Sequence, residues 1–107
     1  MSQLRWKEMR TAETRRVEET LRKEFPQADA YRYNSASIRV RIVDPRFAGK
    51  SNEQRDAMVE PLLLQLPEET QADIMNLLTL SPEEASAQSF KYSLANVEFE
   101  EPSPSVL

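Results

Sequence analysis

The stretch Ile38-Arg39-Val40-Arg41-Ile42-Val43-Asp44-Pro45-Arg46-Phe47-Ala48-Gly49-Lys50-Ser51 decides how the rest of the chain is read. Its first half alternates. Ile38, Val40 and Ile42 fall on one face of an extended chain and Arg39 and Arg41 on the other, the period of a half-buried strand with one wet face. Asp44-Pro45 ends the run, since proline brings no ladder donor. Gly49 is the only glycine in 107 residues. It sits where the chain must turn, so a conformation open mainly to glycine is expected there. Ser51 has Gln54 three residues later, the spacing of a capping box, and Met58, Val59, Leu62 and Leu63 then form the apolar stripe of a helix.

Upstream, Ala30-Tyr31-Arg32-Tyr33 also alternates, with the tyrosines out of phase with Arg32 and directed at the core. Asn34-Ser35-Ala36-Ser37 is short and rich in turn formers, which predicts an antiparallel hairpin. Earlier still, Val17, Leu21 and Phe25 recur every fourth residue, predicting an amphipathic helix from Thr11 to Phe25 that stops at Pro26. Trp6 and Met9 belong either to an upstream turn of that helix or to an arm beside it.

Downstream, Pro61 falls inside the second helix. A mid-helix proline costs about 3 kcal/mol against alanine, so a kink or a fresh start is expected. Pro67 suits the first position of a short third helix, with Glu68 and Glu69 near its positive end. Ile74 to Leu80 is almost wholly apolar, and Asn76 to Leu80 is read as a third strand. Ser81-Pro82-Glu83-Glu84 opens another short helix with Ser81 as cap. Phe90, Tyr92 and Leu94 alternate with polar residues, so the end of the chain either adds a strand, to its own sheet or a neighbour's, or docks on a separate partner, or is an extended or partly disordered tail. The organisation expected is an arm over 1–11, a domain over 12–85 and a tail over 86–107. The fold class is α+β, in the order α-β-β-α-α-β-α, with a three-stranded sheet carrying its helices on one face.

Composition removes several functions at once. The chain has neither cysteine nor histidine, which excludes thiol chemistry, disulfides, imidazole catalysis and the usual zinc sites. The net charge of −4 conceals a split: residues 1–50 carry twelve Lys and Arg against seven Asp and Glu, residues 51–107 only two against eleven. Such halves neutralise each other within the fold, or meet a charged partner or a second copy. No run approaches the roughly 20 apolar residues of a membrane span, and Met1 to Arg10 has no apolar leader core. A cytoplasmic protein without a membrane role is expected.

Val40 through Ser51, followed by Glu53, Arg55, Val59 and Leu62, resembles the BolA family, in which a strand leads to a Phe-x-Gly turn and then to a helix opening with Arg-His. Leu21-Arg22-Lys23-Glu24-Phe25-Pro26 is similar to the end of that family's first helix, and Leu80-Ser81-Pro82-Glu83-Glu84 to its closing strand and turn. The resemblance implies a BolA-like fold akin to the type II KH domain, and either partnership with a monothiol glutaredoxin in iron–sulfur handling or DNA binding. The chain departs from the pattern at both characteristic histidines, which fall on Asp56 and about Asp73. Carboxylates are harder and rarer iron ligands than thiolate or imidazole.

The function expected is therefore a non-enzymatic adaptor or binding module, with no cofactor, working through protein contacts. Arg39, Arg41, Arg46, Phe47, Gly49, Lys50, Arg55 and Asp56 are the candidate partner-binding residues, and a homodimer through the tail or a sheet edge is the associated expectation. The alternative is a nucleic-acid-binding regulator using the arginine face, with Tyr31 or Tyr33 stacking on bases. Ala48-Gly49-Lys50-Ser51 lacks the first glycine of a phosphate loop, position 44 being Asp44, and is read as turn plus cap.

Overall fold

A computed structural model of the chain describes residues 5–86 and 90–105. The helices are α1 (Ala12–Leu21), α2 (Asn52–Leu63), α3 (Glu68–Asp73), α4 (Pro82–Ser86) and α5 (Phe90–Glu100), and the strands β1 (Ala28–Asn34), β2 (Ser37–Val43) and β3 (Ile74–Leu80). Short 3-10 turns occupy Arg5–Met9 and Pro45–Phe47. The strands form one sheet in the order β1-β2-β3, antiparallel between β1 and β2 and parallel between β2 and β3. This is an α+β protein with a mixed sheet.

Local chemistry sets most of the boundaries. Thr11 caps α1 through a reciprocal pair with Thr14, and the helix closes at Leu21, a turn earlier than the apolar spacing predicts. Phe25 still reaches the core from the turn that follows. Asp44 caps the 3-10 turn by accepting from the Arg46 N–H, and Gly49 adopts φ of +76°. Ser51 and Gln54 form the expected capping box. Pro61 neither splits α2 nor starts a new helix: α2 runs two residues past it and ends at Leu63. Near a C-terminal end the damage a proline does is confined to the last turn. Ser81 Oγ accepts from the Glu84 N–H while Glu84 returns a carboxylate to the Ser81 N–H, a third reciprocal cap.

One face of the sheet is apolar. Ala30, Ile38, Val40 and Ile42 pack under Val17, Leu21 and Phe25 from the α1 side and Val59 and Leu62 from α2. The other face corrects two expectations. It is not bare, because α5 and the Arg5–Met9 turn cover it; Trp6, Tyr31 and Phe99 form a second cluster, with Tyr31 and Phe99 rings edge-on at 4.8 Å. Helices therefore lie on both faces. The end of the chain is helical over Phe90–Glu100 rather than an added strand. Its period is visible in the partners: Asn96 and Glu100, four residues apart on one helix face, both meet Arg41. Trp6 proves to belong to an arm, separated from α1 by its own turn.

The charge split is partly resolved within the fold, by ion pairs Arg32–Asp73, Arg39–Glu98 and Arg41–Glu100 that join the basic half to the acidic one. Asp73 is thus held by Arg32 at 2.9 Å. Among the described residues no helix is long and apolar enough to cross a membrane.

Candidate protein-docking edge

The two arginines that alternate along β2 are turned inward. Arg41 is buried, donating from Nη1 to Asn96 and Glu100 at 2.8 Å each and from Nη2 to Asp29 at 2.9 Å. Arg39 donates to the Glu98 carbonyl at 3.2 Å and to the Tyr31 hydroxyl at 3.3 Å, and lies over the Tyr33 ring at 3.7 Å. This face is covered because α5 supplies acids and an aromatic where the alternation leaves cations. Burial pushes the Tyr31 hydroxyl above its ordinary pKa, against the pull of Arg39. Glu98 is held below the usual carboxylate range by the Ser103 backbone N–H and hydroxyl, with Arg39 assisting.

Arg46 and Phe47 also serve the fold. Phe47 is fully buried and stacked on Phe25 at 5.5 Å. Arg46 lies over the Phe25 ring and donates from Nε to Asp44 at 2.9 Å. Burial raises the Asp44 pKa, but the Arg46 side chain and backbone N–H together outweigh it, so the carboxyl sits below its ordinary value.

Gly49 turns the chain so that Lys50 and the α2 N-terminus stand beside β3. Here Lys50, Arg55 and Asp56 come together with Ser51, Asn52 and residues 77–80 around a cleft of about 480 Å³, walled on the far side by Ala95 of α5. Arg55 is 5% exposed and ties the cleft together. It donates to both Glu84 carboxylate oxygens at 2.8 and 3.1 Å, to the Thr79 carbonyl at 2.8 Å and to the Lys50 carbonyl at 3.0 Å. A bidentate guanidinium fixes α2, β3 and α4 at one point. Asp56 is exposed on the rim.

The cleft runs along the outer edge of β3. The Leu80 carbonyl accepts from the Asp44 N–H on the β2 side at 2.9 Å, whereas the Thr79 carbonyl faces Arg55 on the opposite side. Peptide groups alternate along a strand, so Leu77 and Thr79 direct theirs away from β2. Among the described residues no group bonds to the Leu77 peptide from that outer side. At the other end of the edge Met75 is 70% exposed. Beside it Glu60, Leu63, Leu64, Gln71 and Ile74 surround a hollow of about 230 Å³.

No family model, curated protein or solved structure matches the chain. Site chemistry must therefore be read from its own residues. Asp56 is on the cleft rim, while Asp73 lies elsewhere, engaged by Arg32. Among the described residues no group of three or more acidic side chains is arranged to hold a metal ion. Of the eight candidate residues, Lys50, Arg55 and Asp56 share the cleft, Gly49 shapes its approach, and Arg39, Arg41, Arg46 and Phe47 line the interior or its margin. The outward peptides of Leu77 and Thr79 carry no side-chain signature, and only the placement of β3 at the end of the sheet reveals them.

Proposed function

We propose that this chain is a non-enzymatic protein-binding module on a BolA-like, type II KH-like frame, and that its working surface is the cleft along the outer edge of β3. The order α1-β1-β2-α2-α3-β3, with β2 between an antiparallel and a parallel neighbour, supports the frame. The observation that carries the function is a strand edge, lying in a cleft of about 480 Å³, that no described backbone pairs with and that Arg55 alone among the described residues meets. Unpaired ladder groups in a walled groove are a template for another polypeptide. A monothiol glutaredoxin is the partner class that the family likeness implies; the edge itself requires only a protein. Engagement of Arg39 and Arg41 by α5 weighs against the nucleic-acid alternative, which keeps only exposed Arg46 and Lys50 and the partly buried Arg32.

The test is site-specific photo-crosslinking in the native host, with p-benzoylphenylalanine replacing Asn52 at the cleft or Arg16 on the exposed side of α1. Crosslinks to another polypeptide from position 52 and none from position 16 are expected. No protein adduct at 52, adducts to nucleic acid there instead, or equal yields from both positions would contradict the proposal.

A further inference from the structure

The two walls of the β3 edge differ in chemistry. On the α2 wall, Asp56 borders the cleft near Thr79 and Glu60 borders the hollow near Ile74. They are four residues apart, so their side chains stand on one face of the helix, about one turn from each other. Both are exposed, and no ion pair among the described residues engages either. On the α5 wall, Leu78, Ala95 and Phe99 line a small hollow of about 110 Å³ together with Asn76, Arg39 and Glu98. The Arg39 cation there is already matched by Glu98 at 3.4 Å.

A strand added to this edge sends successive side chains to opposite faces of the sheet. One set meets the carboxylates of Asp56 and Glu60, with Lys50 also bordering the cleft and Arg55 there matched by Glu84, and the other meets an apolar strip. We infer that the occupant of the β3 edge is an extended segment of another protein in which lysine or arginine alternates with apolar residues, its cations meeting Asp56 and Glu60 and its apolar side chains meeting Leu78 and Ala95. This deepens the protein-binding reading and rests on it. The occupant's backbone bonds to the outward N–H and carbonyl of Leu77 and to the N–H of Thr79, whose carbonyl Arg55 already holds, and its basic residues supply specificity by charge. A second copy of this chain paired edge to edge is disfavoured by the same carboxylates, because α2 of each copy would bring Asp56 and Glu60 against their own counterparts.

The probe is a fluorescein-labelled, end-blocked hexapeptide Lys-Val-Lys-Leu-Arg-Ser added to the full chain, compared with Glu-Val-Glu-Leu-Glu-Ser and with the isomer Lys-Lys-Arg-Val-Leu-Ser. Binding is read by anisotropy, and its location by amide NMR shifts. The alternating basic peptide should bind with shifts centred on Leu77 and Thr79. The acidic and the block peptides should bind about tenfold more weakly, and Asp56→Lys with Glu60→Lys should reverse the preference between basic and acidic peptides. Edge shifts with equal affinity for all three peptides, or an unchanged preference in the double variant, would overturn the inference about the occupant and leave the docking edge standing. Absence of shifts at the edge with every peptide, together with no protein crosslink at position 52, would overturn both. Sedimentation of the free chain as a dimer whose Leu77 and Thr79 amides are protected would assign the edge to a second copy and also overturn it.

Discussion

The two outer edges of the sheet are finished in different ways. On β1, helix α1 closes the edge with side chains: the Ala30 N–H donates to the Glu18 carboxylate at 3.0 Å, and Arg22 donates to the Ala28 carbonyl at 2.9 Å. Glu18 is 1% exposed and is neutralised by Arg10 at 2.6 Å. On β3, among the described residues, only Arg55 reaches the edge, at the Thr79 carbonyl, and the strand beyond it is bordered by hollows. An edge that a protein leaves open is an invitation to pairing, which natural sequences otherwise suppress. A buried carboxylate thus seals the β1 edge, and no described residue does the same along β3 beyond Thr79.

The largest effect is expected from breaking the sealed edge. Glu18→Ala removes the acceptor of a buried backbone donor and strands the Arg10 guanidinium, a loss of about 3 kcal/mol in denaturant unfolding. Glu18→Gln, which keeps an acceptor but not the charge, should recover part of it. A cost for the alanine variant no greater than that of an ordinary surface substitution would show that the β1 edge is not held this way.

A smaller effect is expected at the open edge. Arg55→Met should cost about 2 kcal/mol, because the Thr79 and Lys50 carbonyls lose their donor while Glu84 remains solvated enough to tolerate the loss. The same substitution lengthens the free part of the edge, so affinity for an added strand should rise even as stability falls. Parallel falls in both would mean that Arg55 orders the binding surface rather than limiting it.

The smallest effect concerns the α5 wall. Because the folded-state pKa of Glu98 is depressed by Ser103 and Arg39, its contribution is complete above the ordinary glutamate value of about 4.3 and drains away as the pH falls through the lower folded value. Trp6 packs against Phe99, with ring centroids 5.6 Å apart, and reports the docking of α5. Its fluorescence should be steady from pH 7 to about 5 and change below about 4. A transition centred near neutrality would assign α5 docking to some other group.

Much of this architecture is legible in the residues. The alternation of Ile38, Val40 and Ile42, the Ser51–Gln54 spacing, the single glycine and the Ser81 cap each act through local geometry, and each appears where the sequence predicts it. The cover on the arginine face is another matter. Trp6, Tyr31 and Phe99 meet only after the chain has folded, so no local pattern announces them. The alternation of Phe90, Tyr92 and Leu94 points to a strand, whereas the helix is set by long-range partners, with Asn96 and Glu100 on Arg41 and Phe99 on Tyr31. The charge split between the halves was the trace of those contacts.

For the site, Lys50, Arg55 and Asp56 can be picked out by their nearness to the turn and cap. Their gathering against β3 depends on the parallel pairing of two strands separated by two helices. An all-apolar run such as Ile74 to Leu80 does not state its neighbour, still less which of its edges is free.

Amide hydrogen exchange along β3 of the free chain tests the open edge most directly. The N–H groups of Leu78 and Leu80 point toward β2 and should exchange slowly, while those of Leu77 and Thr79 point outward and should exchange faster by about a hundredfold or more. Uniform protection across the four residues would mean that the edge is already occupied and would contradict the account.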